Sequence, residues 1–138
     1  MYMLYYDVST MLEGRTGMPW KFKSGIPLSS QIADMLRADI LSGKYTSGSQ
    51  FPTVRQLAYD AGVNPNTMQK ALSLLEGEGL IAAKSTSGRV VTTDLKALGC
   101  AREKVCYGFA KEVVEDAKRL SINRDELIKY IKEVWDNE

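Results

Sequence analysis

The sequence predicts a mainly α-helical protein with a short β-hairpin, built as one or two small domains, and three observations support this prediction. Apolar residues recur at helical spacing in several segments, for example at Leu28, Ile32 and Leu36. Two predicted short helices lie close together in the sequence and are separated by a glycine-containing turn. Two short runs then flank a loop of Ser, Thr and Gly, which is typical of a hairpin.

Composition excludes several classes of protein. The chain has 138 residues, of which 44% are apolar and 25% charged, which is ordinary for a globular protein. Its net charge of +1 names no partner. No run of about 18 apolar residues predicts a membrane span, and the first residues lack the basic start and apolar core of a signal peptide. We therefore expect a cytoplasmic protein that does not engage a membrane.

Catalytic and metal-binding chemistry finds little support in the sequence. The chain has no histidine, which removes the commonest general base and the commonest metal ligand. Cys100 and Cys106 fall in a predicted helix with their Cα atoms about 9 Å apart, too far for a disulfide. We interpret them as two reduced, packed cysteines. Neither an enzyme nor a bound cofactor is expected.

The first half of the chain is predicted to contain an irregular segment, a helix and a short strand. Residues 1–25 form an N-terminal extension that glycines and a proline interrupt, and residues 1–17 are an extension or upstream codons read into the protein. A helix begins near Pro27 and ends at Gly43. A short strand is predicted at residues 49–51.

Capping signals define the two short helices that follow. Thr53 and Gln56 have the spacing of a capping box, so a helix begins there and ends at Gly62. Asn64 is predicted to cap the next helix because its side-chain oxygen can accept from an early amide, and Pro65 suits the first helical position.

The predicted helix that begins at Pro65 has two opposed faces. With Met68 at 0° and a step of about 100° per residue, Ala71, Leu72 and Leu75 fall within about 60° of Met68. The polar residues fall between about 100° and 200°, namely Asn66, Gln69, Lys70 and Ser73. Such a face could be an ordinary solvated surface or a surface that meets a polar partner, and the pattern alone leaves both open.

The hairpin completes a recognisable arrangement. Residues 81–84 and 89–93 are its predicted strands. Two helices joined by a tight turn and followed by a hairpin make a winged helix-turn-helix, predicted here over residues 26–94 with the helix-turn-helix at about 53–72. The polar face of the second helix is then a candidate DNA-reading surface, since Asn and Gln can bond adenine and Lys can meet guanine or phosphate.

The motifs of this segment resemble the GntR family of bacterial transcription regulators. The resemblance rests on IPLSSQIADMLRADILSGKY, on FPTVRQLAYDAGVNPNTMQKALSLLEGEGLI and on a wing that ends GRVVTTD. NPNT and the short C-terminal tail are similar to the YtrA-like subfamily. The resemblance implies operator contacts by the helix-turn-helix and the wing, and the candidates are Thr53, Arg55, Asn64, Asn66, Thr67, Gln69, Lys70, Ser73, Lys84, Ser87, Gly88 and Arg89.

The charge of the predicted DNA-binding segment is balanced. Residues 26–94 contain six basic and six acidic side chains. A DNA-binding domain without net positive charge has to concentrate its cations on one face. We expect Arg55, Lys70, Lys84 and Arg89 on that face, and Asp34, Glu76 and Glu78 elsewhere.

Residues 95–138 are predicted to form two amphipathic helices, the second of which is capped by Asn123 with Glu126 at its third position. Two such helices cannot bury both apolar stripes by themselves. The family resemblance implies a dimerisation hairpin, and the alternative is a packing extension on the winged domain of the same chain. The candidate dimer contacts are Val105, Phe109, Val113, Ile131 and Trp135.

These observations predict a sequence-specific DNA-binding transcription regulator that acts as a homodimeric repressor. The family resemblance implies that its operator is pseudo-palindromic. The alternative is a winged-helix protein that uses the same surface to bind other proteins and does not bind DNA. A small-molecule effector is compatible with this organisation, and the sequence assigns no residue to it.

Overall fold

The computed structural model describes residues 20–84 and 88–138. Along these residues the elements are α1 (Leu28–Leu41), β1 (Gln50–Phe51), α2 (Val54–Ala61), α3 (Pro65–Gly77), β2 (Ile81–Ala83), β3 (Arg89–Val91), α4 (Leu95–Arg119) and α5 (Arg124–Asn137). The prediction of a mainly helical winged helix-turn-helix followed by two C-terminal helices is confirmed.

The helix ends lie where the capping signals predict them. The Thr53 hydroxyl accepts from the Gln56 amide at 3.1 Å, and the Gln56 side chain accepts from the Thr53 amide at 3.1 Å, which is a complete capping box. Gly62 ends α2 with φ 66°, a left-handed conformation that glycine adopts without strain. Asn64 Oδ1 accepts from the Asn66 amide at 2.8 Å and Pro65 opens α3.

One hydrophobic core joins α1, α2, α3 and the sheet. Large side chains that are essentially inaccessible come from α1, α3 and the sheet or from their ends, and α2 adds the buried Leu57. Burial of this kind contributes about 1.5–3 kcal/mol for each large aliphatic side chain, so these residues stabilise the domain most. They are Ile32, Leu36, Phe51, Met68, Leu72, Leu75, Leu80, Ile81 and Val91.

The hairpin is part of a three-stranded antiparallel sheet with the order β1-β3-β2. Ala83 lies opposite Arg89 in the hairpin, and Phe51 of β1 lies opposite Arg89 on the other side of β3. The strand near residues 49–51 was predicted, but its pairing with the hairpin was not. The Tyr45 and Phe51 rings, 4.8 Å apart, help to hold β1 against the core.

Residues 20–25 contain no helix or strand, as predicted, yet they pack on the domain. Trp20 and Phe22 lie against the core. The buried Gln31 side chain holds this segment because its oxygen accepts from the Lys23 amide at 2.8 Å and its nitrogen donates to the Lys23 carbonyl at 2.9 Å. The predictions for residues 1–17 lie outside the described residues.

The two C-terminal helices differ in how they meet the domain. The first turns of α4 pack on the core through Leu98 and the buried Ala101, whereas α5 has no buried residue. Asn123 caps α5 by accepting from the Glu126 amide at 2.9 Å, as predicted.

The prediction that Cys100 and Cys106 are packed is wrong. Both are free thiols and both are exposed. Leu98 and Ala101 form the inward side of this part of α4, and Cys100 lies about 100° around the helix from Ala101.

Candidate nucleic-acid interface

The two faces of α3 are separated as the helical wheel predicts. Met68, Leu72 and Leu75 have no accessible surface, and neither has Ala71. The polar residues on the opposite side are exposed, and we call them the reading face: Asn66, Gln69, Lys70 and Ser73. Thr67 is half-buried at the edge of this face. An exposed polar helix face of this shape can enter the major groove of DNA.

Hydrogen bonds within α3 hold the Gln69 side chain. The Ser73 hydroxyl donates to the Gln69 backbone carbonyl at 2.9 Å. Gln69 Nε2 donates to the same hydroxyl oxygen at 3.4 Å. A further donor comes from the wing, which is the hairpin of β2 and β3. Arg89 Nη2 in this hairpin lies 3.3 Å from Gln69 Oε1. Gln69 and Ser73, two candidate base contacts on α3, are thus linked by hydrogen bonds to Arg89 of the wing.

Glu76 corrects the expected charge distribution. Arg89 Nε donates to Glu76 Oε1 in an ion pair, so the prediction that Glu76 lies away from the cations is wrong. The reason lies in the tertiary fold. Strand β2 follows α3 in the chain, and β3 pairs antiparallel with β2, which brings Arg89 over α3. The sequence held a signal, since the same wheel places Glu76 at about 80°, beside Gln69 at about 100°.

The other two acidic residues expected away from the interface are held by α1. Arg37 donates to Asp34 Oδ1 at 2.5 Å and to both Glu78 oxygens at 2.8 and 2.5 Å. Burial lowers the pKa of Arg37, but the hydrogen bonds and charges of the two carboxylates outweigh burial and raise the pKa above its ordinary value. This arrangement ties the end of α3 to α1 and pairs both carboxylates with one cation.

Arg55 is an exposed cation in the first turn of α2. It forms no ion pair with any residue of the described ranges, so its five N–H donors are available to a phosphate or to guanine. It lines an open groove with Phe51, Gln56 and Tyr59. Tyr59, one turn after Arg55, is 88% exposed and was not among the predicted contacts, although its i+4 spacing was visible in the sequence.

The remaining predicted DNA contacts lie on the reading face and in the wing. Lys70 is exposed on the reading face and makes no ion pair with the described part of the chain. In the wing, Lys84 and Gly88 are exposed and the Lys84 amide donates to the Gly88 carbonyl at 2.7 Å, which closes the hairpin. Ser87 lies outside the described residues.

Two of the predicted contacts have capping roles. The Thr53 hydroxyl and the Asn64 side-chain oxygen both accept from backbone amides at helix starts. Asn64 keeps its side-chain NH₂ group as a donor for a further partner. Replacing either residue would therefore disturb a helix start as well as any DNA contact.

The family profile described as "Bacterial regulatory proteins, gntR family" matches residues 28–91, which run from the first residue of α1 to the last of β3. These residues are a GntR-family helix-turn-helix domain. GntR proteins are transcription regulators rather than enzymes, and they bind DNA through this domain. The chain is a transcription regulator of this family.

Relatives and solved structures agree with this assignment over most of the chain. The chain is 26% identical to an uncharacterized HTH-type regulator, YhcF, of Bacillus subtilis, over 81% of this chain and 93% of that protein. It is 29% identical to the transcriptional repressor YtrA of the same organism, over 81% and 87%. A GntR family transcriptional regulator from Listeria monocytogenes has 26% identity and a TM-score of 0.76, covering 81% and 98%.

Among the described helices, none combines the length and the apolar character needed to cross a membrane. The longest, α4, contains charged residues throughout its 25 positions.

Proposed function

We propose that this GntR regulator is a sequence-specific repressor that binds a pseudo-palindromic DNA operator as a homodimer, in the cytoplasm where the chromosome lies. The observation that carries the proposal is the exposed polar face of α3 together with the exposed Arg55, whose guanidinium forms no ion pair within the described residues. An α-helix fits the major groove, where each base pair offers a distinct set of donors and acceptors. Arg55 would fix the helix on the DNA backbone or on an adjacent guanine.

Each predicted contact has a chemistry that suits this role. Asn66 and Gln69 carry amides that match the adenine edge, and Thr67 can bond bases or phosphates. The Ser73 hydroxyl uses its proton on the Gln69 carbonyl and can still accept from a base donor. Lys70 is a point charge suited to guanine or phosphate. In the wing, Lys84 and Gly88 would meet the neighbouring minor groove, as the family resemblance implies, whereas Arg89 would act on the reading face through Gln69.

The C-terminal helices supply the support for a dimer. Ile131 is 47% exposed and Trp135 is 82% exposed, although both are large apolar side chains. Val134 lies beside them on α5 and is also exposed. Apolar side chains concentrated on one small helix favour a protein partner, and a second copy would place two α3 helices on two half-sites.

The repressor role rests on similarity to YtrA of Bacillus subtilis, which is named a transcriptional repressor. A dimer that occupies an operator overlapping a promoter would exclude RNA polymerase without further chemistry. Expression of the chain beside a reporter that carries the selected operator would test this role. We expect reporter output to fall, and an increase would indicate an activator.

The DNA-binding proposal is tested by selection from a pool of random duplexes, followed by fluorescence anisotropy on the enriched sequence and on a scrambled duplex. We expect enrichment of two inverted half-sites and tighter binding of the enriched duplex. Typical specific affinities exceed non-specific ones by roughly 10³-fold or more. Equal affinity for both duplexes would contradict the proposal.

One observation favours the alternative of a protein-binding winged helix. Arg37, Lys44 and Arg89 all lie within 4 Å of carboxylates of the same domain, which reduces the charge available to phosphates. Retention on random DNA at low salt separates the two functions. A DNA-binding domain is retained and elutes as salt rises, whereas a protein-binding module passes through.

A further inference from the structure

The chemistry of its neighbours fixes which end of the Gln69 amide is oxygen. Arg89 can only donate, so the atom that it meets has to be Oε1. The single proton of the Ser73 hydroxyl is used on the Gln69 backbone carbonyl, so towards the side chain this hydroxyl can only accept. The atom that meets Ser73 is therefore Nε2. Arg89 and Ser73 together set the orientation of this amide.

Arg89 is in turn held by Glu76. The guanidinium carries five N–H donors, and it uses Nε on Glu76 and Nη2 on Gln69. Arg89 and Glu76 are both largely shielded, with 18% and 33% of their side chains exposed. Because the carboxylate fixes the guanidinium plane, it also fixes where Nη2 points. Glu76 thus determines the position of the Arg89 donor that holds Gln69 Oε1.

The oriented Gln69 amide can still form hydrogen bonds with DNA. Its oxygen has a second lone pair and its nitrogen a second hydrogen, which together match the N6 donor and the N7 acceptor of adenine. A glutamine with a fixed orientation can make this pair with adenine, whereas a freely rotating glutamine can also present its ends reversed. Orientation therefore affects base choice at the position that Gln69 meets.

We propose that Glu76 is a specificity-determining positioning residue, which does not touch DNA and acts through Arg89 to orient the Gln69 amide for one base. This inference rests on the proposed function, since it concerns how the same reading face selects its sequence. Glu76 lowers the local positive charge that would attract any duplex, and it improves the choice between duplexes.

The test uses the full chain and the duplex that it enriches from a random pool. Single base-pair replacements of that duplex are compared with the parent by fluorescence anisotropy, for the wild type, Glu76→Gln and Gln69→Ala. Gln69→Ala identifies the position that Gln69 reads. A bidentate side-chain contact discriminates by roughly 5- to 150-fold. We expect Glu76→Gln to reduce discrimination by about tenfold at that position alone, with affinity for scrambled DNA unchanged or higher.

Two further variants separate positioning from charge and from folding. Glu78→Gln is the matched control, because Glu78 is also paired with an arginine but bonds Arg37 and lies outside this network. It should keep full discrimination. Arg89→Lys keeps the positive charge but cannot fork between a carboxylate and an amide, so it should lose discrimination at the same position as Glu76→Gln. The double variant with Glu76→Gln and Arg89→Lys should lose no more discrimination at that position than either single variant.

The outcomes are distinguishable. If wild type discriminates and Glu76→Gln does so equally well, the positioning role is wrong while the DNA-binding function stands. An equal rise in affinity for every duplex would likewise overturn it, because Glu76 would then only repel phosphates. If wild type itself enriches no sequence, the proposed function fails and this inference fails with it.

Discussion

Helices α3 and α5 are of similar length, 13 and 14 residues, yet they stand in opposite relations to the rest of the chain. Helix α3 buries Met68, Leu72 and Leu75 completely, whereas α5 buries no residue. Both carry apolar side chains at helical spacing. Sequence amphipathicity therefore shows that a face has to be covered, and only the fold shows whether the same chain covers it.

This difference divides the chain into a part that completes its own core and a part that does not. The border lies inside α4, because Leu98 and Ala101 belong to the core of the winged domain, while further along the helix Tyr107 and Val114 are exposed. The alternative of a packing extension on the same chain is thus realised in part. The first turns of the tail extend the domain, and the remainder is left for the proposed second copy.

The largest expected effect comes from removing the exposed part of the tail. A fragment of residues 18–104 keeps Leu98 and Ala101 and should stay folded, but it should run as a monomer and bind the selected operator about 10²–10⁴-fold more weakly. Linking two modules makes the second half-site contact intramolecular, which accounts for this range. Gel shifts with fragment and full chain measure the loss, and equal affinity would contradict the dimeric mechanism.

Core packing should give the next largest effect. Leu72→Ala removes a side chain with no accessible surface and should lower the free energy of unfolding by about 2–5 kcal/mol. Leu74→Ala is the matched control two residues away, where the side chain is 47% exposed, and should cost far less. Urea unfolding followed by circular dichroism compares the two. Similar losses in both would contradict the assigned faces of α3.

Arg55→Ala should weaken operator binding and spare stability. Arg55 is exposed and forms no ion pair within residues 20–84 and 88–138, so its loss should shift the unfolding free energy by less than about 0.5 kcal/mol. Loss of its DNA contact should cost about 1–3 kcal/mol of binding free energy. Anisotropy and thermal melting report the two effects separately. A large fall in melting temperature with unchanged binding would show a structural role instead.

The smallest expected effect is that of Lys70→Ala. If Lys70 meets a phosphate, its loss should weaken binding to operator and scrambled DNA alike and should reduce the slope of log affinity against log salt by about 1. Lys104→Ala, on the exposed side of α4, is the control and should change neither. An effect on the operator alone would mean that Lys70 reads a base.

Features that depend on neighbouring residues could be predicted from the sequence. The capping box at Thr53, the left-handed Gly62 and the Asn64 cap each involve groups within about one helical turn, so their residue types suffice to identify them. The faces of α3 follow from the helical period for the same reason. The same signals predicted the helices α2 and α3 that carry most of the candidate contacts.

Features that join distant segments could not be predicted. The pairing of β1 with β3 and the contact between Glu76 and Arg89 depend on how α3 and the hairpin pack, which no local pattern encodes. The bonds from Gln31 to Lys23 are of the same kind. Glu76 shows this limit clearly. It was expected on a surface away from the cations only because it is acidic, yet it pairs with Arg89.

The claim that the exposed tail joins two copies is tested most directly by sedimentation of the full chain without DNA, beside Ile131→Asp. The substitution places a charge on an exposed helix position, so it should leave the winged domain intact. We predict that the wild type sediments at twice the chain mass of 15.4 kDa and that Ile131→Asp sediments at the single-chain mass with an unchanged melting temperature. A monomeric wild type at concentrations that saturate the operator, or a dimeric Ile131→Asp, would contradict the account.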